Sequence, residues 1–126
     1  MVIYTKGFAT STGDDEGLAY VYCTDLSGYC LSLSRFLDDD LVEVMVLDQI
    51  NHKTREVAVE LAHDKLRVTV SPVAAAQLDG ITEYTVPLAL PTDELRELDA
   101  ALSAIFEGGH RGRYESRLDG RGEQTL

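Results

Sequence analysis

The chain alternates apolar and polar residues up to Val70 and changes to a helical rhythm after Ser71. A period of two marks strands with one buried face, and a period near 3.6 marks amphipathic helices. On that basis VIYTKGFAT (residues 2–10) is a first strand, followed by the Gly- and Asp-rich turn STGDDEG. LAYVYCT and YCLSLSR flank DLSG, which predicts a hairpin. A four-residue loop over Asp25–Gly28 sets Cys23 opposite Cys30, Val21 opposite Ser32 and Tyr20 opposite Leu33. Leu18, Tyr20, Tyr22, Leu31 and Leu33 then share the core face, with the two cysteines on the opposite face.

Further along, LVEVMVLDQ is apolar on both faces except at Glu43, which predicts a central strand, and INHKT reads as a loop. REVAVELAHDKLRVTVS forms a second hairpin turning at Ala62–Asp64. Val57, Val59 and Leu61 face Leu66, Val68 and Val70, while Glu56, Glu60, Arg67 and Thr69 occupy the other side. Ser71 caps a short helix with Pro72 at its first position and Gly80 past its end. In ITEYTVPLAL, a seventh strand, Pro87 predicts an edge or a bulge.

The clearest periodicity comes last. Leu95, Leu98, Ala101, Leu102, Ile105 and Phe106 fall on one face of a helix, capped by Thr92 or Asp93 and stopped by Gly108-Gly109. Together these elements predict an α+β fold: a curled antiparallel sheet of about seven strands, with a short helix and a C-terminal amphipathic helix packed on one face. Residues 1–108 are expected to form one domain. Residues 109–126 are polar and aperiodic and read as a mobile tail, from which Tyr114 and Leu118 could dock.

Charge changes this picture more than length does. A chain of 126 residues can remove roughly two-thirds of its unfolded surface from water, enough for one core without metals or disulfides. Its 22 acidic and 11 basic residues leave a formal net charge of −11. The acidity lies in the expected domain, because residues 1–107 hold 19 acidic and 7 basic residues. Such a field repels nucleic acid and anionic membranes and favours basic partners. The start lacks the basic and apolar regions of a secretory signal, and no apolar run approaches a bilayer's ~20 residues. A cytoplasmic protein is therefore expected, with Cys23 and Cys30 as thiols.

Catalysis needs convergent groups, and the chain offers few. His52, His63 and His110 fall in expected loops or the tail, without zinc-like ligand spacing, and no G-x-S-x-G elbow or phosphate loop is present. Neither enzymatic activity nor a cofactor or metal is expected. Asp38-Asp39-Asp40 is a charge run whose neighbours point to alternate sides, unlike the spaced ligands of a calcium loop. It reads either as a solvated turn or as part of an acidic binding rim. Glu43 interrupts an apolar strand, so it lies at a solvated end or meets a partner such as Arg35 or Arg55; Gln49 ends the same strand.

YCLSLSR, DDDLVEVMVLDQ, REVAVELAHDKLRVTV, AAAQL and LRELDAALSAIFEG together resemble the Immunity protein 10 family of bacterial polymorphic-toxin systems over roughly Leu18 to Gly108. Glu43 and Gln49 match that family's Glu and downstream Gln, and Ile105-Phe106 its helix end. The chain departs from the pattern at Leu41, where an aromatic residue is expected, and at HKTR, which replaces a Gly-Gly. The resemblance implies a cytoplasmic protein that binds and neutralises the C-terminal domain of a cognate secreted toxin. The acidic surplus fits a basic toxin, with a nuclease as the first class to consider. Asp38, Asp39, Asp40, Glu43 and Gln49 are then the expected toxin-facing residues. A small acidic secretion chaperone holding an effector segment is the alternative.

Overall fold

The computed structural model describes residues 1–14, 16–47, 50–108 and 112–118. Gln49, Gly109 and His110, singled out above, lie outside them. The fold is α+β, with nine strands in two sheets and two helices among the described residues. The first sheet is antiparallel, in the order β1 (Thr5–Thr12), β2 (Leu18–Asp25), β3 (Cys30–Phe36), β4 (Val42–Val46) and β5 (Ile50–Thr54). The second joins β6 (Val57–Leu61), β7 (Lys65–Val70), β8 (Glu83–Pro87) and β9 (Arg113–Ser116) in the order β8-β7-β6-β9. Helix α1 (Pro72–Ala76) links β7 to β8, and α2 (Thr92–Ile105) packs on β1 and β2. One continuous core includes buried residues of both sheets and of α2.

Several elements form where the hydrophobic pattern places them. The β6–β7 register pairs Val57 with Val70, Val59 with Val68 and Leu61 with Leu66, all buried, while Glu60 faces Arg67 on the outer side. Ser71 caps α1 by accepting from Ala74 N at 3.1 Å, with Pro72 in the first turn. All six periodic apolar residues of α2 and its C-terminus are buried. Pro87 ends β8 at the margin of the second sheet, where residues 1–3 run alongside: Ile3 N donates to Thr85 O and Thr85 N to Met1 O, each at 2.8 Å.

Four expectations need correction. The sheet is divided in two, because the chain leaves β5 and enters β6 within two residues but pairs β6 with β7 and β9. INHKT is the edge strand β5, not a loop, and pairs with β4 from Val42–Thr54 to Val46–Ile50. The β2–β3 register is shifted by one residue: Cys23 faces Leu31, Val21 faces Leu33 and Tyr22 faces Ser32. Because successive side chains alternate, that shift buries Ala19, Val21 and Cys23 and moves Tyr20 and Tyr22 to the outer face. Neither Thr92 nor Asp93 occupies the cap of α2; Pro91 does, with no side-chain cap bond, and Asp93 and Glu94 lie in the first turn.

The expected tail also contributes structure. Strand β9 pairs parallel to β6, and Arg117 N donates to Leu61 O at 2.8 Å. Tyr114 stacks on Phe106 with ring centroids 6.1 Å apart and donates its hydroxyl to Asp99 of α2 at 2.5 Å. Burial, then the Asp99 carboxylate, pushes the Tyr114 hydroxyl well above its usual range, so it remains a donor. Gly112 enters this strand at φ +109°, with Val57 O only 2.5 Å from where a Cβ would sit. A side chain there would displace β9 from β6.

At the other end, Tyr29 and Tyr84 both donate to Asp79, the Tyr84 bond measuring 2.8 Å. This links the β2–β3 loop to the second sheet. Leu102→Ala should leave a cavity under α2 and lose about 2–5 kcal/mol in chemical unfolding. Ending the chain at Gly108 should lower Tm by at least about 4 °C, because β9 and its contacts with α2 are lost. An unchanged Tm would show that β9 contributes nothing to the domain.

Candidate functional site at two acidic turns

The β3–β4 turn carries Asp38, Asp39 and Asp40, and its backbone is held from below. Arg35 ends the core-facing row of β3 and is only 3% exposed. Its Nη1 donates to the carbonyls of Phe36 (3.1 Å), Leu37 (3.1 Å) and Asp39 (2.9 Å). Its Nε and Nη2 donate to Ile105 O (2.7 Å) and Ala104 O (2.9 Å) at the C-terminus of α2. A helix C-terminus is the negative end of its dipole, and the last turn of α2 has no basic residue of its own. The sheet supplies the cation instead, and one planar guanidinium fastens helix, strand and turn.

The three aspartates divide by role. Asp39 accepts from Leu41 N at 3.2 Å and from Lys53 Nζ at 2.7 Å, so it shapes the turn. The hydrogen bond from Lys53, followed by that from Leu41 N–H, holds its carboxyl below the usual aspartate range. That contribution is present above the ordinary aspartate pKa of about 3.9 and is lost as pH falls through the lowered value. Asp40 lies 3.9 Å from Arg55, with both side chains more than half exposed. Asp38 is exposed and has no ion pair or hydrogen bond through its side chain among the described residues.

Glu43 is half-buried on the outer face of β4, where Asn51 Nδ2 donates to it at 2.5 Å and Lys53 is its cross-strand neighbour. The expected partner Arg35 lies on the opposite, core side of the sheet, so Glu43 is held by β5 instead.

A second acidic turn lies against the first. Leu37 N donates to Gly17 O at 2.8 Å, joining the β1–β2 and β3–β4 turns. Gly13, at φ +90°, would place a Cβ 3.1 Å from the Leu37 side chain, so only glycine allows this approach without displacement. Asp14 and Glu16 therefore lie on the same end of the sheet as Asp38, and their side chains have no charged partner among the described residues. Phe36 and Leu37, 51% and 41% exposed, add apolar surface to this end. Sequence reasoning missed Asp14, Glu16, Phe36 and Leu37. The signal was available in the topology: in an antiparallel meander, the turns after the first and third strands share one end.

Other parts of the molecule are less suited to chemistry. A hollow of about 310 Å³ on the outer face of the second sheet is lined by Glu60, Arg67, Arg113 and Glu115. Its Glu60 is taken by Arg117 at 2.5 Å and Arg67 at 2.7 Å, which hold the carboxyl below its usual range. Cys23 and Cys30 are buried thiols; burial, with Cys30 and Asp25 adding to it, pushes Cys23 up to about 12. A thiol so protonated is a poor nucleophile at neutral pH. Among the described residues no three His, Cys, Asp or Glu side chains are grouped to hold a metal ion, and no helix is long and apolar enough to cross a membrane.

Comparison with known protein families, curated proteins and solved structures finds no match for this chain.

Arg35→Met should destabilise the domain by at least about 3 kcal/mol, because one buried and four part-buried carbonyls lose a charged donor. Arg35→Lys should recover only part of this, since an ammonium cannot serve both sides of the fork. Chemical unfolding of the two variants measures both effects. Wild-type stability in Arg35→Met would refute the fastening role.

Proposed function

We propose that this protein is an immunity-type inhibitor that binds and neutralises the C-terminal domain of a cognate toxin through a basic surface on that toxin. The observation that carries this reading is the joining of two acidic turns at one end of the sheet, where exposed Phe36 and Leu37 accompany the carboxylates of Asp14, Glu16 and Asp38, which have no charged partner among the described residues. Apolar contact area flanked by like charge suits a specific protein interface: the apolar part supplies desolvated contact, and the charge steers encounter. The net charge of −11 and the resemblance to the Immunity protein 10 family support the same reading. Inhibition of this kind needs occupancy of the toxin and no turnover.

Within the reading, the expected toxin-facing residues acquire different tasks. Asp38 and Asp40 present charge, whereas Asp39 and Glu43 are already engaged by Lys53 and Asn51 and chiefly order the surface. Asp14 and Glu16 join the charged set.

The test is binding kinetics with the proposed cognate toxin domain, sought in the coding region immediately upstream. Asp14→Asn/Glu16→Gln/Asp38→Asn should slow association about tenfold at low salt and flatten its salt dependence, because rim charges act on encounter. The melting temperature should stay at the wild-type value, since none of these side chains holds a described partner. Unchanged association would refute the acidic surface as the toxin-facing one. Recovery of a cleaved or modified toxin with free protein regenerated would mark an enzyme, and capture of an unfolded effector segment by a stable dimer would mark a secretion chaperone.

A further inference from the structure

The first sheet has a second apolar surface that the core does not use. Its inner side chains, among them Ala19, Val21, Leu33 and Val44, belong to the core shared with α2 and the second sheet. Successive side chains of a strand alternate between faces, and Leu18, Tyr20, Tyr22 and Met45 point the other way. All four are half-buried and stand outside the core. Helix α2 packs on the core side of β1 and β2, and among the described residues no helix or strand is stacked on the outer face.

Cross-strand neighbours decide which of these side chains can receive a partner. Tyr22 is engaged by its own sheet: its hydroxyl lies 3.3 Å from Cys30 Sγ, and Ser32 opposite it is only 9% exposed. Tyr20 differs. Its neighbours are Ser11 on β1 and Ser34 on β3, and its hydroxyl makes no hydrogen bond among the described residues. Directly opposed side chains on one face stand about 5 Å apart, and a serine is too short to cover an aromatic ring at that distance. One ring is therefore left open between two short polar residues. Leu18 and Phe36 form the next pair toward the acidic turns.

The charge that a partner meets beside Tyr20 is negative. Leu18 and Phe36 lead directly into the joined turns that hold Asp14, Glu16 and Asp38. From the Tyr22 row to those turns, the outer positions of β1, β2 and β3 carry no charged side chain. Along the Tyr20 row the next charged group is Glu43, two strands away. Basic side chains are remote: Lys6 lies at the far end of β1, beside the Thr5–Asp25 pair, and Lys53 lies three strands away on β5, with Asp39 at 2.7 Å.

We infer that the outer face of β1–β3 continues the acidic surface as one interface, and that Tyr20 receives an arginine side chain from a basic protein partner. A guanidinium stacks flat on an aromatic ring while its N–H groups remain free for oxygen acceptors at the ring edge, where Ser11 and Ser34 stand. An ammonium is a compact, strongly hydrated charge and uses such a site less well. Further basic residues of the partner meet Asp14, Glu16 and Asp38 at the end of the sheet, so the turns steer encounter and Tyr20 holds the complex. A second copy of this chain fits poorly, because each copy carries −11 and this face offers no basic side chain to the other's carboxylates. The inference rests on the proposed toxin-binding function for the partner's identity and adds the residue that anchors it.

The experiment is an NMR titration of the full chain with two short peptides at millimolar concentration, one alternating Gly and Arg and the other Gly and Lys. The Arg peptide should shift the Tyr20 ring signals and bind about threefold or more tightly than the Lys peptide. Tyr20→Phe keeps a ring and should keep this preference. Tyr20→Leu keeps apolar area without a ring and should lose it. Asp14→Asn/Glu16→Gln/Asp38→Asn should weaken both peptides alike and leave the preference in place. Unmoved Tyr20 ring signals, or an Arg preference that survives in Tyr20→Leu, would overturn the inference. A dimer of the free chain that Tyr20→Leu dissolves would give the face to a second copy and overturn it too. With the proposed toxin domain, Tyr20→Leu should speed dissociation about tenfold and leave association unchanged. Toxin that leaves Tyr20→Leu at the wild-type rate would remove the anchor and leave the inhibitor function standing. Toxin that fails to bind even the unaltered chain would remove that function, while the peptide result still decides the Tyr20 site.

Discussion

A buried guanidinium with five main-chain carbonyls around it is the constraint on which this architecture turns. Arg35 belongs to β3, yet its acceptors come from the end of α2 and from the turn that follows its own strand. A charge taken this far from water is tolerated only when its donors are satisfied, and carbonyls at a helix C-terminus are the most favourable neutral acceptors available. The arrangement fixes where α2 stops on the sheet. It also sets the shape of the Asp38–Asp40 turn, because three of the carbonyls that Arg35 gathers lie within Phe36–Asp39. Packing of the helix and presentation of the acidic surface are one structural event.

That coupling explains how a charge run can be both structural and available for binding. Three adjacent aspartates repel one another, and an unsupported turn would relax that repulsion by moving. Here the backbone is pinned from the core side, Asp39 is neutralised by Lys53, and Asp40 lies near Arg55. The like charge that remains, on Asp38 with Asp14 and Glu16, is held in place by the Leu37–Gly17 hydrogen bond. Pre-ordered charge loses less conformational freedom on binding than charge on a mobile loop. The second sheet carries the opposite pattern, with Arg67 and Arg117 closing on Glu60. The two sheets therefore differ in electrostatic character despite the net acidity of the chain.

Much of this was legible in the amino-acid order where only one reading was physically possible. The β6–β7 register followed from Val57, Val59 and Leu61 meeting three equally spaced apolar partners, and the buried face of α2 followed from its period. The β2–β3 hairpin was misread because both of its faces contain large or apolar residues, so the pattern did not choose between registers. The choice was made by the loop: Asp25 N bonds Tyr29 O, and Asp25 Oδ1 accepts from Ser27, which pairs Asp25 with Tyr29 around the turn Leu26–Gly28. Strand β5 was hidden because an edge strand needs little apolar content, and β9 because its stability comes from Tyr114 meeting Phe106 and Asp99. Of the expected site, the Asp38–Asp40 turn was visible as charge. Its partnership with Asp14 and Glu16 needed the strand order, and the role of Arg35 needed the position of α2.

The central claim is that the two acidic turns pinned from the Arg35 side form the surface that meets a basic toxin domain. The most direct measurement is a hydrogen-exchange footprint of the full chain, free and in stoichiometric complex with the proposed toxin domain. The account predicts that protection gained in the complex is concentrated at Asp14, Glu16 and Phe36–Asp40. Protection confined to the outer face of the second sheet, around Glu60 and Arg67, or to the exposed side of α2, would contradict it.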